Sequence, residues 1–440
     1  MGAPCQTLPA LGTIFRMLQA KVLPLILVSL ALTLNAEEFL PTGASLDLEQ
    51  CYDLALQQNE PLKRQREEIF QSQAQARAVL GGAFPHVYWD WRGTRQDDSG
   101  VTDTFGGMLE KSQVESKVIL DQQIFNGLKE ISAWSGFKKQ EARDQWRLRQ
   151  QELALYDEVA RAYLDVVSLE TALSNNTTTI SLAQERVTEL KSFYRLGKSR
   201  EGEIFSAESQ LATIKAIGVR LRGQIRVARE ALSFLLGKEA GSLPLAPTTF
   251  KTEPPSLAIF LTQAARRPDL EAQRQEVEGM KLRVRYEKGS YWPSLNFIGN
   301  FYTQRPQLYD PIDWDMSLYL SVPLFQGGTV NARVREALSG LTQAQLTLDY
   351  LERQIQSEVK KAHAAWTASL EESLSLQEAY FAAKKSYDAQ KREYRLGLVT
   401  NLDVLNATTL MQTDKRAWDD ADIEAQRRYV TLIVTTGALP

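Results

Sequence analysis

Hydrophobic positions along this chain follow two periods, and each period occurs twice. From Trp314 to Leu324 the period is two: Trp314, Met316, Leu318, Leu320, Val322 and Leu324 share one face, and Asp315, Ser317, Tyr319 and Ser321 the other. That is the pattern of a strand with one apolar and one polar face. The stretch before it alternates likewise, Leu295, Phe297 and Phe301 against Asn296, Asn300 and Tyr302. An earlier pair does the same: Val87, Trp89 and Trp91 against His86, Tyr88, Asp90 and Arg92, then Val114, Val118 and Leu120 against Glu115, Lys117 and Asp121. Strands are expected near 84–94 and 113–125, and again near 292–303 and 314–325, one hairpin in each half.

After each hairpin the period lengthens. Residues 127–196 and 327–396 contain no proline. In the first, Leu155, Val159, Ala162, Val166, Leu169, Leu173, Ile180, Ala183, Val187, Leu190 and Tyr194 recur in steps of four and three, with Asn176 in one seam position. A heptad seam sustained this long implies coiled-coil packing, and a helix of that length is a rod of about 100 Å. Returning helices are expected near 201–236 and 401–436.

The halves are copies. YRLG stands at Tyr194–Gly197 and at Tyr394–Gly397, QIFNG ending at Gly127 matches PLFQG ending at Gly327, and FLLG ending at Gly237 matches VTTG ending at Gly437, all offset by 200. Upstream, NEPLKRQ around Leu62 aligns with RPDLEAQ around Leu270, and FPHVYWDW with WPSLNFIG, at an offset of 208. The difference falls in the polar, turn-rich segments between the paired strands, where length changes are tolerated. The chain therefore divides into a first repeat over 37–240, a Pro-rich linker over 241–256 and a second repeat over 257–440.

Ahead of the repeats, Arg16 and Lys21 precede the apolar run Val22–Ala36. This order reads as a cleavable secretory signal over 1–36, an uncleaved anchor being the alternative, and the run is short for a spanning helix. Its removal takes away two cations and no acid, so the net charge moves from −3 to −5. Such a charge offers no basic face to nucleic acid. Only Cys51 remains afterwards, so an exported fold stands on packing without an internal disulfide; Cys51 is expected to be buried.

An exported chain with aromatic-rich alternating strands presents two choices, a soluble sandwich or a bilayer. Four strands are too few for the first in an otherwise helical chain, and about ten residues each suits the second. Four strands cannot close a barrel with a lumen, and an open edge in lipid leaves backbone groups unpaired. The chain must therefore pool strands with copies of itself. The helical seams are rich in Ala, Ser, Tyr and Gln, which suits helices with neighbours on two sides, as in the wall of a tube, better than a free two-stranded rod.

Chemistry is not evident. The two histidines, His86 and His363, lie on different elements, and there is no Cys/His metal pattern, no nucleophile pairing and no phosphate-cradling glycine loop. No enzyme activity, metal or cofactor is expected.

The opening SLDLEQCYDLALQQNEPL, the strand end VPLFQGG running into a long helix, and YRLGLVTNLDVLNATTL, taken in their order and duplication, resemble the TolC-like outer-membrane efflux proteins of Gram-negative bacteria. The resemblance covers nearly the whole mature chain. It implies a mainly α fold with a small β part: duplicated units of helix, hairpin, long helix and helix. As a homotrimer these would form a 12-stranded outer-membrane β-barrel continued by a 12-helix periplasmic α-barrel. It implies a channel that serves an inner-membrane pump of the RND, ABC or MFS class through a periplasmic adaptor, exporting small molecules such as drugs, toxic organics or metal ions. A duct for type I protein secretion shares the fold, and a periplasmic coiled-coil scaffold or adaptor without a pore is the reading from another class.

The resemblance also places the periplasmic tip at the turns after the long helices. Gly197 and Gly397 end those helices, and Thr400 with Asp403 forms a capping-box pattern. Asp403 matches an acid that rings the pore, Asn406 stands where a second such acid is expected, and Val399 replaces a basic residue. Tyr394 matches a gating tyrosine, with Glu203 its candidate acceptor. Arg195, Leu196, Gly197, Lys198, Arg395, Leu396, Gly397 and Thr400 are the candidate tip-turn and adaptor-docking residues.

Overall fold

A computed structural model describes residues 45–95, 112–237, 243–246, 255–305 and 312–438. The expected signal segment, the tips of both hairpins and most of the Pro-rich linker lie outside the described residues. In the first half, α1 (Leu48–Gln58) and α2 (Glu60–Gly81) lead into β1 (His86–Arg95) and β2 (Ser112–Asn126), followed by α3 (Lys129–Arg195) and α4 (Glu201–Leu236). The second half repeats the order with α5 (Leu257–Ala264), α6 (Pro268–Lys288), β3 (Ser294–Gln304), β4 (Trp314–Ser321), α7 (Thr329–Arg395) and α8 (Asn401–Thr436). The long helices match in length, 67 residues each, as do the returning ones, 36 each.

Each leading helix is in fact two. Asn59 caps α2 by accepting from the Leu62 amide at 3.0 Å, with Pro61 in the first turn. Pro268 is the first residue of α6, where Arg267 gives no side-chain cap. Proline at a helix start loses no hydrogen bond, because the first amides have no partner in the helix.

The four strands form one antiparallel sheet in chain order. Its register lines up the two hairpins face for face: Trp89 opposes Val118, Val118 opposes Phe301, and Phe301 opposes Trp314. One rank over, Val87, Leu120, Gly299 and Met316 form a second apolar row. Ser116, a polar group on this face, is satisfied by the Thr303 hydroxyl at 2.7 Å and the Trp89 indole at 2.9 Å. The opposite face carries a polar network in which Asn300 and Tyr302 both donate to Asp315 at 2.8 Å, while Arg305 lies over the Tyr302 ring. Asn296 donates to Asp121 at 3.0 Å across the junction between the hairpins.

β4 stops at Ser321, short of the expected 325. Its counterpart β2 runs on to Asn126. Against their own hairpin partners the two strands end at equivalent points, Asp121 opposite His86 and Ser321 opposite Ser294; β2 runs on because Gln122–Asn126 pair with β3 on its other side.

Two cores anchor the rods, the first built mainly from the first half with Ile423 and Val430 of α8, the second from the second half. Cys51, Tyr52, Ala55 and Leu62 pack on Val159, Tyr163, Leu164 and Val166 of α3 and on Leu232 and Leu236 of α4. Phe260 and Leu270 pack on Ile355, Val359 and Trp366 of α7 and Leu432 of α8. The Tyr163 hydroxyl donates to the carbonyls of Leu46 and Ala246, fastening the start of the first half to the parallel bridge between Leu46 and Leu245. Helix α3 packs along α4 and also against α8, and α7 packs along α8.

Candidate functional site

The far ends of the four long helices lie together, and both turns there are built alike. Gly197 and Gly397 take φ of +72° and +75°, a left-handed conformation that only glycine adopts without steric cost. In the first turn the Lys198 amide reaches back to the Phe193 carbonyl at 2.8 Å and that of Gly197 to Tyr194 at 2.9 Å. In the second, Leu398 reaches Glu393 and Gly397 reaches Tyr394, both at 3.0 Å. This is the Schellman closure, which satisfies the last carbonyls of a helix. It leaves Leu196, Leu396, Leu398 and Leu402 exposed, with Arg195, Lys198 and Arg395 exposed beside them.

The turns differ in how the next helix begins. In the second, Thr400 donates its amide at 2.8 Å and its hydroxyl at 2.6 Å to the Asp403 carboxylate. These two hydrogen bonds, the hydroxyl's first, hold the Asp403 carboxyl below its ordinary range, so it is ionised wherever the protein works. In the first turn Arg200 stands in place of Thr400 and gives no side-chain cap. There the Ser199 hydroxyl donates to Glu203 at 2.6 Å. Asn406 is exposed one turn into α8.

Tyr394 and Glu203 are not brought together within one chain. The Tyr394 ring packs on Phe193 of α3, centroids 5.8 Å apart. Arg186 lies over it, 4.1 Å from the ring centre, a distance at which a cation is attracted to the ring face. Arg186 also donates to Asn401 at the start of α8 and to Glu189 at 2.7 Å. Lys391 pairs with Glu185 at 3.2 Å, and Arg395 approaches Glu189 at 3.8 Å. Arg186, Glu189 and Asn401 thus tie α3 to α7 and α8 at the tip, and none of them stands out in a motif search. The signal that marks them is a difference between the copies, since the residue equivalent to Arg186 is Ser386.

Inside the tip the four helices enclose about 60 Å³, lined by Arg186, Glu203, Tyr387, Lys391, Asn401 and Val404 among others. That is room for water and not for an organic ligand. A wider cleft of about 600 Å³ lies near the sheet between α2, α3 and α6. Among the described residues no cluster of His, Cys, Asp or Glu could hold a metal ion, and no helix is long and apolar enough to cross a membrane.

A sided four-stranded sheet carrying rods that end in a charged, tied tip defines a channel subunit that spans with strands and extends with helices. The outer membrane efflux protein family matches residues 51–238 and 262–438, one match for each half, and the chain belongs to that family. Over 443 residues it is 25% identical to the outer membrane protein TolC of Salmonella enteritidis, covering 94% of this chain and 84% of the relative. It is 24% identical to the alkaline protease secretion protein AprF of Pseudomonas aeruginosa, covering 82% and 78%. The fold is that of the outer membrane protein VceC of Vibrio cholerae, with a TM-score of 0.77 at 18% identity over 89% of this chain and 96% of that one. The protein is an outer-membrane efflux channel of the Gram-negative type, reaching into the periplasm, and not an enzyme.

Proposed function

We propose that three copies of this chain form a closed duct, a 12-stranded barrel in the outer membrane continued by a 12-helix tube, through which an inner-membrane pump exports small molecules by way of a periplasmic adaptor. The observation that carries this reading is that the sheet and the rods are open on matching sides. β1 and β4 are the free edges of the sheet. α4 and α7 are the outer helices of the rods, since α3 and α8 lie between them. Both levels run from a first-half element on one flank to a second-half element on the other, so head-to-tail contacts close a ring at both levels at once. Leu324 and Phe325, 93% and 88% exposed beyond the end of β4, are apolar groups that such a neighbour would cover.

In this assembly the Asp403 carboxylates and Asn406 line the constriction at the tip, with Tyr394 and Glu203 behind them. The exposed leucines Leu196 and Leu396, flanked by Arg195, Lys198, Arg395 and the turn glycines, meet the adaptor. The apolar rows of the sheet face outer-membrane lipid, and the pump is of the RND, ABC or MFS class. The likeness to a protease secretion protein supports a second reading, an exit duct for type I protein secretion; a pump gene or a secreted-protein gene beside this one separates the two. Light scattering in detergent tests the assembly. Three chains per particle is the expected result, and a stable monomer or dimer would defeat it.

A further inference from the structure

Just beneath the sheet, unpaired cations gather on one side of the helices. On α3, Asp144 and Gln151 meet α2, while Lys139 and Arg143 meet α6. Residues that line the cleft of about 600 Å³, Ala133, Gly136 and Gln140 among them, lie on the arc between those two contacts. In the ring proposed above, on which this inference rests, the narrow arc between a helix's two neighbours is the inner one. The cleft therefore opens to the lumen, and the opposite arc of α3, with Ile131 and Lys138, is outside.

The same construction puts Arg77 of α2, Arg285 and Lys288 of α6 and Arg335 of α7 on the outer arc, and all four are exposed. Arg77 and Arg285 are one position in the two copies, offset by 208. Among the described residues none of the four makes an ion pair or a side-chain hydrogen bond. The acids nearest this arc are already held, Glu141 by Lys138 at 2.8 Å and Glu278 by Lys281 at 2.6 Å. A chain of net charge −3 thus keeps a band of uncompensated positive charge at one level. Helix dipoles do not account for it: Arg285 and Lys288 stand in the last turn of α6, where a cation is favoured, but Arg335 stands in the second turn of α7, near the end that repels one.

Depth points to the partner. β1 and β3 have 10 and 11 residues, enough when tilted to cross an apolar layer of about 25 Å. At the periplasmic end of the sheet Tyr291 and Trp292 are 50% and 63% exposed, and such side chains settle at the boundary between hydrocarbon and headgroups. At 1.5 Å per residue, Arg77, Arg285 and Arg335 lie about 5–9 Å beyond it, the depth of the headgroup layer.

We propose that this band is a docking surface for anionic phospholipid headgroups of the periplasmic leaflet, of the phosphatidylglycerol class, which hold the channel at its depth. Guanidinium groups grip phosphate through paired N–H donors. A zwitterionic headgroup is held less firmly, because its own cation stands beside the phosphate. Each cation at an anionic surface strengthens attachment about two- to fivefold.

Native mass spectrometry of the full-length channel tests this, with short-chain phosphatidylglycerol and phosphatidylcholine of equal acyl length titrated in detergent. Phosphatidylglycerol is expected to bind at least about fifteenfold more tightly, from four cations. Two charge-matched variants then ask which arc is responsible. Arg285→Gln with Arg335→Gln, on the outer arc, should cut the preference about fourfold or more. Arg283→Gln with Arg333→Gln, two residues away on the inner arc, should change it less than about twofold. Equal affinity for the two lipids overturns the proposal, as does an inner pair that costs as much as the outer. Displacement of the lipid by inorganic phosphate at matched concentration also overturns it, since that marks a plain anion site. The same spectra give the mass: one chain per particle refutes the ring and this surface with it, whereas three chains per particle without the lipid preference refute only the surface.

Discussion

The Arg186 guanidinium stands over the ring of Tyr394 and at the same time donates to Asn401, so one side chain of α3 holds both α7 and α8. The tie uses the ring face of Tyr394 and not its hydroxyl. Tyr394→Phe is therefore expected to leave single-channel conductance nearly as it is, while Tyr394→Leu and Arg186→Ala raise the open fraction by about two- to fivefold per site, in line with an exposed cation–π contact. A large effect of Tyr394→Phe would place the hydroxyl in a bond between chains and return Glu203 as its acceptor.

The entry to the long helix stores strain in one half only. Gly327 and Gly328 take φ of +59° and +80° before α7, but the equivalent pair before α3 is Gly127 and Leu128, with Leu128 at +59°. A β-carbon in that conformation costs about 1–2 kcal/mol, less what a new glycine returns to the unfolded chain. Leu128→Gly is expected to stabilise by about 0.5–1 kcal/mol, read as a higher apparent Tm in calorimetry. Gly127→Ala should do the reverse and strongly, because its β-carbon would lie 2.1 Å from the Gly289 carbonyl oxygen.

Burial, with the charge of Asp47 added, pushes the Cys51 thiol up to about 12. The folded state then keeps a proton that the unfolded chain releases near pH 8.5, so this group's contribution is complete below that pH and is lost as the pH rises from about 8.5 to about 12. Alkaline unfolding of Cys51→Ala should show a weaker decline over that window. In the native channel Cys51 should resist maleimide and react once the chain is denatured.

Assignment of the two sheet faces can be checked with neighbouring residues of β4. Met316 lies in the apolar rank with Val87, Leu120 and Gly299, and Ser317 faces the other way opposite Ile298. Arginine on a lipid-facing strand costs about 2–4 kcal/mol near the bilayer centre. Met316→Arg is expected to deplete the protein from the outer-membrane fraction, and Ser317→Arg to leave it there with a reversal potential shifted toward anions.

Much of this was legible in the chain because duplication doubles every signal. The strand alternation, the two long helices and the glycine turns each appear twice at a fixed offset, and a pattern that recurs is hard to mistake for chance. Single events were less visible. The split of each leading helix hangs on Pro61 and Pro268 inside otherwise helical stretches, and the earlier end of β4 follows from its position at the edge of the sheet, where β2 has a second partner. The tip tie was hidden for a different reason: Arg186, Glu189 and Asn401 lie on two helices far apart in sequence, and an arginine on an exposed helix face carries no motif. Tyr394 and Asp403 are singled out by resemblance and capping chemistry, but what each touches depends on the neighbour that only the fold supplies.

The central pairing of the sheet also sets the timing of its formation. Asn296 meets Asp121 across 175 residues, so β2 cannot find its partner until the whole first rod and the second half's leading helices have been made. Contacts that distant form slowly, since the loop must close before any pairing rewards it. The helices, whose contacts are local, can form while the strands wait with their edges bare. An exported chain of this design spends that interval with aromatic-rich strands exposed in water, and the sequence alone gives it no way to shorten the wait. Its assembly is therefore limited by the arrival of the second half.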